Sequence, residues 1–162
     1  MFQRILVVCV GNICRSPIAE TLLRQRVPDI VIGSAGLGAM VGRAADPLAL
    51  SLLTEHGFNA SQHVARQLDD GMIREADLIL AMEQAHIDTL LQRAPHARGR
   101  AFLLGQWQDG LEIPDPYRQQ RPAFEHVYRL IDAAVDSWIP HLNHATADAH
   151  ARRTQHTRTT HG

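Results

Sequence analysis

The sequence has no lysine: its 16 basic residues are all arginine, and with 17 acidic residues the formal net charge is −1 at pH 7. The missing lysine reads as composition bias and carries little chemistry. The even balance removes any global electrostatic case for binding nucleic acid or a membrane surface, so partners have to be argued from a site. Cysteine is also scarce. Cys9 and Cys14 are the only two, and they lie too close together in sequence to staple a fold, which suits a reducing cytoplasmic home. No apolar run approaches the roughly 18 residues of a membrane span. The first residues, MFQR, lead straight into ILVVCV with no leader-like pattern of charged, apolar and small-residue regions, so the protein is expected to stay in the cytoplasm and not to insert into a membrane.

What is present is an ordinary globular composition, 45% apolar and 20% charged, in 162 residues. That length supports one domain with one core. Residues 5–10 form a continuous apolar run rich in β-branched side chains, as expected of a strand buried on both faces of a parallel sheet. At Ser16 the pattern changes. Ser16 suits an N-cap, Pro17 a first helical turn, and Ile18, Leu22, Leu23 and Val27 recur at helical spacing, with Glu20 suiting the positive helix start. A second strand is expected at 30–33, then the loop SAGLGAMVGRAADP and a helix from about Pro47 to Gly57. DLILAM at 77–82 reads as a third strand followed by a helix over 83–93, and 101–104 as a short fourth strand. After an irregular stretch, Phe124, Val127, Leu130, Ile131, Ala134, Val135 and Trp138 make one stripe of a last helix. The alternation predicts an α/β fold: an open four-stranded parallel twisted sheet with helices on both faces and a phosphate-binding loop after the first strand. Residues 1–142 form the expected domain. The remainder, NHATADAHARRTQHTRTTHG at 143–162, has no apolar periodicity and is expected to be a disordered tail.

The decisive stretch is VCVGNICRSP. A loop that leaves a buried strand and enters a helix N-terminus collects backbone N–H groups with no intrahelical acceptor, and the helix start adds positive potential. Gly11 is expected to let the backbone curl around an anion. Arg15 closes the ring with a planar fork matched to two phosphate oxygens. The same surroundings favour a thiolate at Cys9, a nucleophile aimed at phosphorus. Residues 10–15 (Val10, Gly11, Asn12, Ile13, Cys14 and Arg15) are then the phosphate cradle. A loop that binds phosphate without chemistry remains the alternative at this level. Other phosphate loops do not fit, since neither G-x-x-x-x-G-K-[ST] nor G-x-G-x-x-G occurs here.

VCVGNICRSPIAE, followed in order by SAGLGA, HVARQL, DLILAME and IPDPYR, resembles the low-molecular-weight protein tyrosine phosphatases over residues 2 to about 142. The resemblance implies a protein-tyrosine phosphatase using a two-step cysteinyl-phosphate mechanism without metal or other cofactor. It implies Cys9 as nucleophile, Arg15 as the residue that binds the phosphoryl group, and Asp115, between Pro114 and Pro116, as the acid that protonates the leaving phenolate. Read alone, Asp115-Pro116 is a common turn pair. Ser16 would donate to the cysteine sulfur, and Asn12 would hold the loop with Ser34 and His63. Cys14 would be able to trap an oxidised Cys9 as a disulfide. Leu37, Met40 and Tyr117 are the expected walls of a cleft deep enough for phosphotyrosine. Met40 and Arg118 stand where animal members carry aromatic residues, which resembles the bacterial branch associated with exopolysaccharide and capsule export. The implied partner is a tyrosine-phosphorylated protein, an autophosphorylating bacterial tyrosine kinase. Arsenate reduction on the same fold would use further cysteines, and none follows Cys14. A binding module without catalysis and a sugar-transport phosphocarrier are the other rivals, and neither has an obvious use for Arg15 together with Asp115.

Overall fold

The computed structural model describes residues 2–158, with side chains through residue 142. In chain order the elements are β1 (Arg4–Cys9), α1 (Arg15–Arg26), β2 (Val31–Gly36), α2 (Pro47–Glu55), α3 (Asp70–Glu75), β3 (Leu78–Ala81), α4 (Gln84–Arg93), a 3₁₀ turn (Pro95–Ala97), β4 (Ala101–Leu103) and α5 (Arg121–Arg158). All strand pairings are parallel and the sheet order is β2-β1-β3-β4. The expected four-stranded sheet is therefore present. The expectation of a disordered tail at 143–162 concerns residues whose side chains lie outside those described.

The apolar run of β1 works as a two-sided strand because successive side chains point to opposite faces. Ile5, Val7 and Cys9 enter one cluster with Ile18, Leu22 and Leu23 of α1, Leu52 and Leu53 of α2, and Phe124, Val127, Ile131 and Trp138 of α5. Leu6 and Val8 enter the other with Ile73 of α3 and Leu90 of α4. Replacing a fully buried leucine here by alanine would cost about 2–5 kcal/mol. The stripe expected on the last helix is the face that seals the first cluster.

Topology decides where a ligand can sit. From β1 the chain crosses to β2 on one side, then returns past β1 to β3 on the other. Loops at the carboxyl ends of β1 and β3 thus diverge and leave a crevice between them. The loop after Cys9 and the turn after Ala81 both open into it.

Strand β2 runs further than expected, to Gly36, because its last residues stay in register with Val8 and Cys9. Gly36 is required there: a Cβ would lie 2.3 Å from the carbonyl oxygen of Val10. The short helix α3 was not evident from periodicity. Asp69 caps it through its side chain, which accepts from Met72 N.

Candidate active site

The loop between β1 and α1 turns its carbonyls outward and leaves its amides free. The carbonyl oxygens of Cys9, Val10, Gly11 and Ile13 accept from the amides of Leu37, Gly38, Met40 and Asp46 at 2.9, 3.1, 3.0 and 2.8 Å. The Asn12 carbonyl accepts from His63 Nε2 at 2.7 Å, and that of Cys14 from Ile18 N at 3.4 Å. Among the described residues, the amides of Gly11, Asn12, Ile13 and Cys14 have no protein acceptor. With every carbonyl tied away and the amides unspent beside a helix N-terminus, the loop is a concave anion site.

Its shape comes from Asn12 more than from Gly11. Asn12 takes the left-handed conformation, φ 60°, which asparagine tolerates better than most residues. Gly11 has room for a Cβ, with its nearest contacts at 3.7 Å. The backbone freedom expected of Gly11 is thus not what forms the curl. Asn12 is fully buried and its side-chain amide is fully used. Its Oδ1 accepts from Arg66 N at 3.0 Å, which fixes the amide orientation, and Nδ2 donates to Ser16 Oγ at 2.8 Å and Ser34 Oγ at 3.0 Å. Ser34 in turn donates to Glu20 Oε2 at 2.8 Å. His63 Nδ1 stands 3.6 Å from the same oxygen.

That network carries an ion pair beneath the loop. Burial by itself would raise the Glu20 carboxyl, but His63, the Ser34 hydroxyl and Arg24 outweigh it and hold the group below its ordinary value. Burial would likewise lower His63, but the Glu20 carboxylate and the Asn12 carbonyl raise it.

Helix α1 begins two residues earlier than expected, at Arg15, with Cys14 in the cap position and no side-chain cap. Ser16 is therefore not an N-cap. It lies inside the helix, fully buried, with Oγ 2.9 Å from Cys9 Sγ. Burial, then the carboxylates of Asp46 and Asp115, push the Cys14 thiol far above its ordinary range.

Arg15 is 2% exposed. Its Nη1 donates to Glu83 Oε2 at 2.6 Å and to the Ile113 carbonyl at 2.8 Å. Its Nη2 lies 3.8 Å from Asp115 Oδ2. Asp115 is half exposed on its loop, where Oδ1 accepts from Tyr117 N at 3.0 Å and its carbonyl accepts from Gln119 Nε2 at 3.0 Å. The Arg118 guanidinium lies over the Tyr117 ring, 5.2 Å from its centroid. Together these residues enclose a cavity of about 150 Å³ with Cys9 and Arg15 at its base and Met40, Ile13, Tyr117 and Asp115 around it.

One expected wall is wrong. Leu37 is buried in the cluster with Leu68, Ile73 and Leu90 on the α4 side of the sheet, because its amide is drawn to the Cys9 carbonyl and its side chain turns inward. Gly38 borders the cavity instead. Two carboxylates were missed. Glu83 follows β3 at the crevice, where the sheet topology would have flagged any charged residue. Glu20 looked like a helix-start residue, and only its burial under the loop shows its use.

The model of the low molecular weight phosphotyrosine protein phosphatase family matches residues 4–148. The chain belongs to this family. It is 50% identical over 143 residues to the low molecular weight protein-tyrosine-phosphatase Wzb of Salmonella typhimurium, covering 88% of this chain and 96% of that one. Among solved structures, the tyrosine phosphatase Wzb of Escherichia coli K30 in complex with sulphate aligns with a TM-score of 0.85 and 44% identity, over 88% of this chain and 99% of the other. The YwlE arginine phosphatase of Geobacillus stearothermophilus aligns with a TM-score of 0.84 and 32% identity, over 90% and 96%. The phosphatase is thus a hydrolase with the bacterial Wzb proteins among its relatives. No helix among its described residues is long and apolar enough to cross a membrane.

Proposed function

We propose that the phosphatase hydrolyses phosphotyrosine in proteins through a phosphocysteine intermediate, with Cys9 as nucleophile, Arg15 and the loop amides as the phosphoryl site, and Asp115 as acid and then base. The observation that carries this reading is the outward turn of every carbonyl from Cys9 to Cys14. Such a cradle stabilises the charge on three phosphoryl oxygens while Cys9 Sγ attacks from below. The S–P bond forms as the P–O bond to the phenol breaks, and Asp115 gives its proton to the departing oxygen. The now ionised Asp115 takes a proton from water that attacks the phosphocysteine, and sulfur leaves as thiolate, stabilised by the Ser16 hydroxyl.

The cleft favours an aromatic ester. Met40, Ile13 and the Tyr117 ring offer apolar surface to a phenyl ring. The shorter phosphoserine and phosphothreonine side chains would leave phosphorus too far from Cys9. Because one structural relative is an arginine phosphatase, the test uses matched peptides bearing phosphotyrosine, phosphoserine, phosphothreonine and phosphoarginine, without metal and with chelator present. Phosphate release from the phosphotyrosine peptide alone supports the reading. Preference for phosphoarginine, or binding without release, contradicts it.

The natural substrate on this reading is an autophosphorylating bacterial tyrosine kinase that controls exopolysaccharide or capsule synthesis and export, met in the cytoplasm. The support is the similarity to Wzb proteins and the residues Met40 and Arg118 beside the cleft. Loss of phosphotyrosine from the purified autophosphorylated kinase on mixing, with none lost to Cys9→Ser, is the expected result. A kinase that keeps its phosphate contradicts this assignment.

A further inference from the structure

We propose that His86 is a positioning residue for Arg15, acting through Glu83; the proposal rests on the phosphatase reading of the site. Glu83 occupies the cap position of α4, yet its side chain makes no cap. The Gln84 amide is taken instead by Glu112 Oε1 at 2.8 Å. Freed from its own helix, the Glu83 carboxylate turns to Arg15. His86, one turn into α4, folds back along the helix as helical side chains do, and places Nε2 3.2 Å from the same Oε2 that holds Arg15 Nη1.

His86 is 5% exposed, and its Nδ1 is buried with no partner among the described residues. Burial, and after it the nearby charge of Arg15, lower its affinity for a proton, against the opposing carboxylates of Glu83, Asp115 and Glu112. A neutral imidazole has one N–H, and a carboxylate only accepts, so the tautomer that suits the 3.2 Å contact carries that N–H on Nε2, facing Glu83. An apolar side chain would fill the same space without stranding a nitrogen. The retained imidazole therefore has its use in its contact with Glu83.

That contact restrains a carboxylate that is 34% exposed and would otherwise sample solvent or swing to Arg15 Nη2. With Glu83 held, Nη1 is pinned between Oε2 and the Ile113 carbonyl, and Nε and Nη2 form the fork left for the phosphoryl group. Without the restraint, Glu83 competes with substrate for that fork.

The test compares full-length wild type, His86→Gln, His86→Asn, Glu83→Ala and the double variant Glu83→Ala/His86→Asn. Glutamine can bring an N–H near the position of Nε2, and asparagine is too short, so the two separate an N–H at that position from mere polarity. Supporting restraints of this kind are worth about 10–100-fold. His86→Asn is expected to lower kcat/KM for a phosphotyrosine peptide about 10-fold and to weaken inorganic phosphate binding, measured by titration without turnover, by a similar factor. His86→Gln recovers most of both. In the Glu83→Ala background His86→Asn adds less than about 2-fold, because the path to Arg15 is already cut. Equal values for asparagine and glutamine, or an undiminished loss in the Glu83→Ala background, overturns the proposal. A wild type that binds phosphate but does not turn over phosphotyrosine would instead contradict the phosphatase reading, and phosphate titration of the same variants would still decide the role of His86.

Discussion

Ser16 Oγ lies 2.9 Å from Cys9 Sγ, placed to donate to a Cys9 thiolate. Asn12 Nδ2 donates to Ser16 Oγ, and a thiolate only accepts, so against ionised Cys9 the hydroxyl proton points at sulfur. A hydroxyl held this way stabilises negative charge on Cys9, which develops most when sulfur leaves phosphorus. Ser16→Ala is therefore expected to slow breakdown of the phosphocysteine more than its formation. Stopped-flow assay with p-nitrophenyl phosphate should show a burst of nitrophenol and a steady rate reduced by about 10–100-fold, as for loss of one donor to a developing anion. A slow first turnover with no burst would place the effect of Ser16 elsewhere.

Asp115 is expected to matter in proportion to how much the leaving group needs a proton. Asp115→Asn should cost about 10²–10⁴-fold in kcat on a phosphotyrosine peptide, the usual range for a general acid. On an aryl phosphate whose phenol is already a good leaving group, the first step should suffer much less. Comparing kcat across a series of substituted phenyl phosphates measures this as a steeper dependence on phenol basicity in the variant. An unchanged slope would remove Asp115 from the role of acid.

The Glu20–His63 pair makes the loop's support depend on pH in a definite direction. His63 is raised above its ordinary 6.5 in the folded protein, so its contribution to stability is complete below that pH and is lost as pH rises through the folded value. Glu20 is lowered from 4.5, so its contribution is complete above that pH and is lost as pH falls through its folded value. Thermal unfolding against pH should show wild type and His63→Gln furthest apart in Tm between about 4.5 and 6.5, converging on the alkaline side. Convergence on the acid side of that window alone would mean that the pair titrates in the opposite sense.

Much of this site could be read before the fold was known, for a physical reason. A strand buried on both faces must be apolar throughout, so residues 5–10 stood out, and the change to helical spacing after Ser16 located the loop between them. Asp115 was recognisable from its prolines together with the family resemblance. What could not be read depends on backbone direction or on contacts distant in sequence. Glu83 meets Arg15 across 68 residues, and nothing local distinguishes it from a solvated helix-start carboxylate. The left-handed turn fell on Asn12 although Gly11 stood beside it, because the Asn12 side chain is anchored by Arg66, Ser16 and Ser34. Leu37 looked like a cleft wall from its loop, but a single backbone bond to Cys9 turns it into the core.

We propose that residues 1–142 hold the whole catalytic domain. The candidate site residues lie between Cys9 and Tyr117, and the apolar stripe of α5 reaches Leu142, which is 1% exposed. Deleting 143–162 is expected to leave kcat and KM on a phosphotyrosine peptide within about two-fold of the full chain, since every candidate site residue lies before that segment. A large rise in KM would assign those residues a part in substrate binding.

The most direct measurement traps the intermediate. Full-length enzyme is mixed with a phosphotyrosine peptide, quenched within the first turnover, digested, and mapped by mass spectrometry for a phosphoryl group, with Ser16→Ala used to lengthen its lifetime. Phosphate is expected on the peptide containing Cys9, bound to sulfur, and none in Cys9→Ser, which should turn over at least about 10⁴-fold more slowly. Phosphate on any other residue, or a Cys9→Ser enzyme that keeps wild-type turnover, would contradict it.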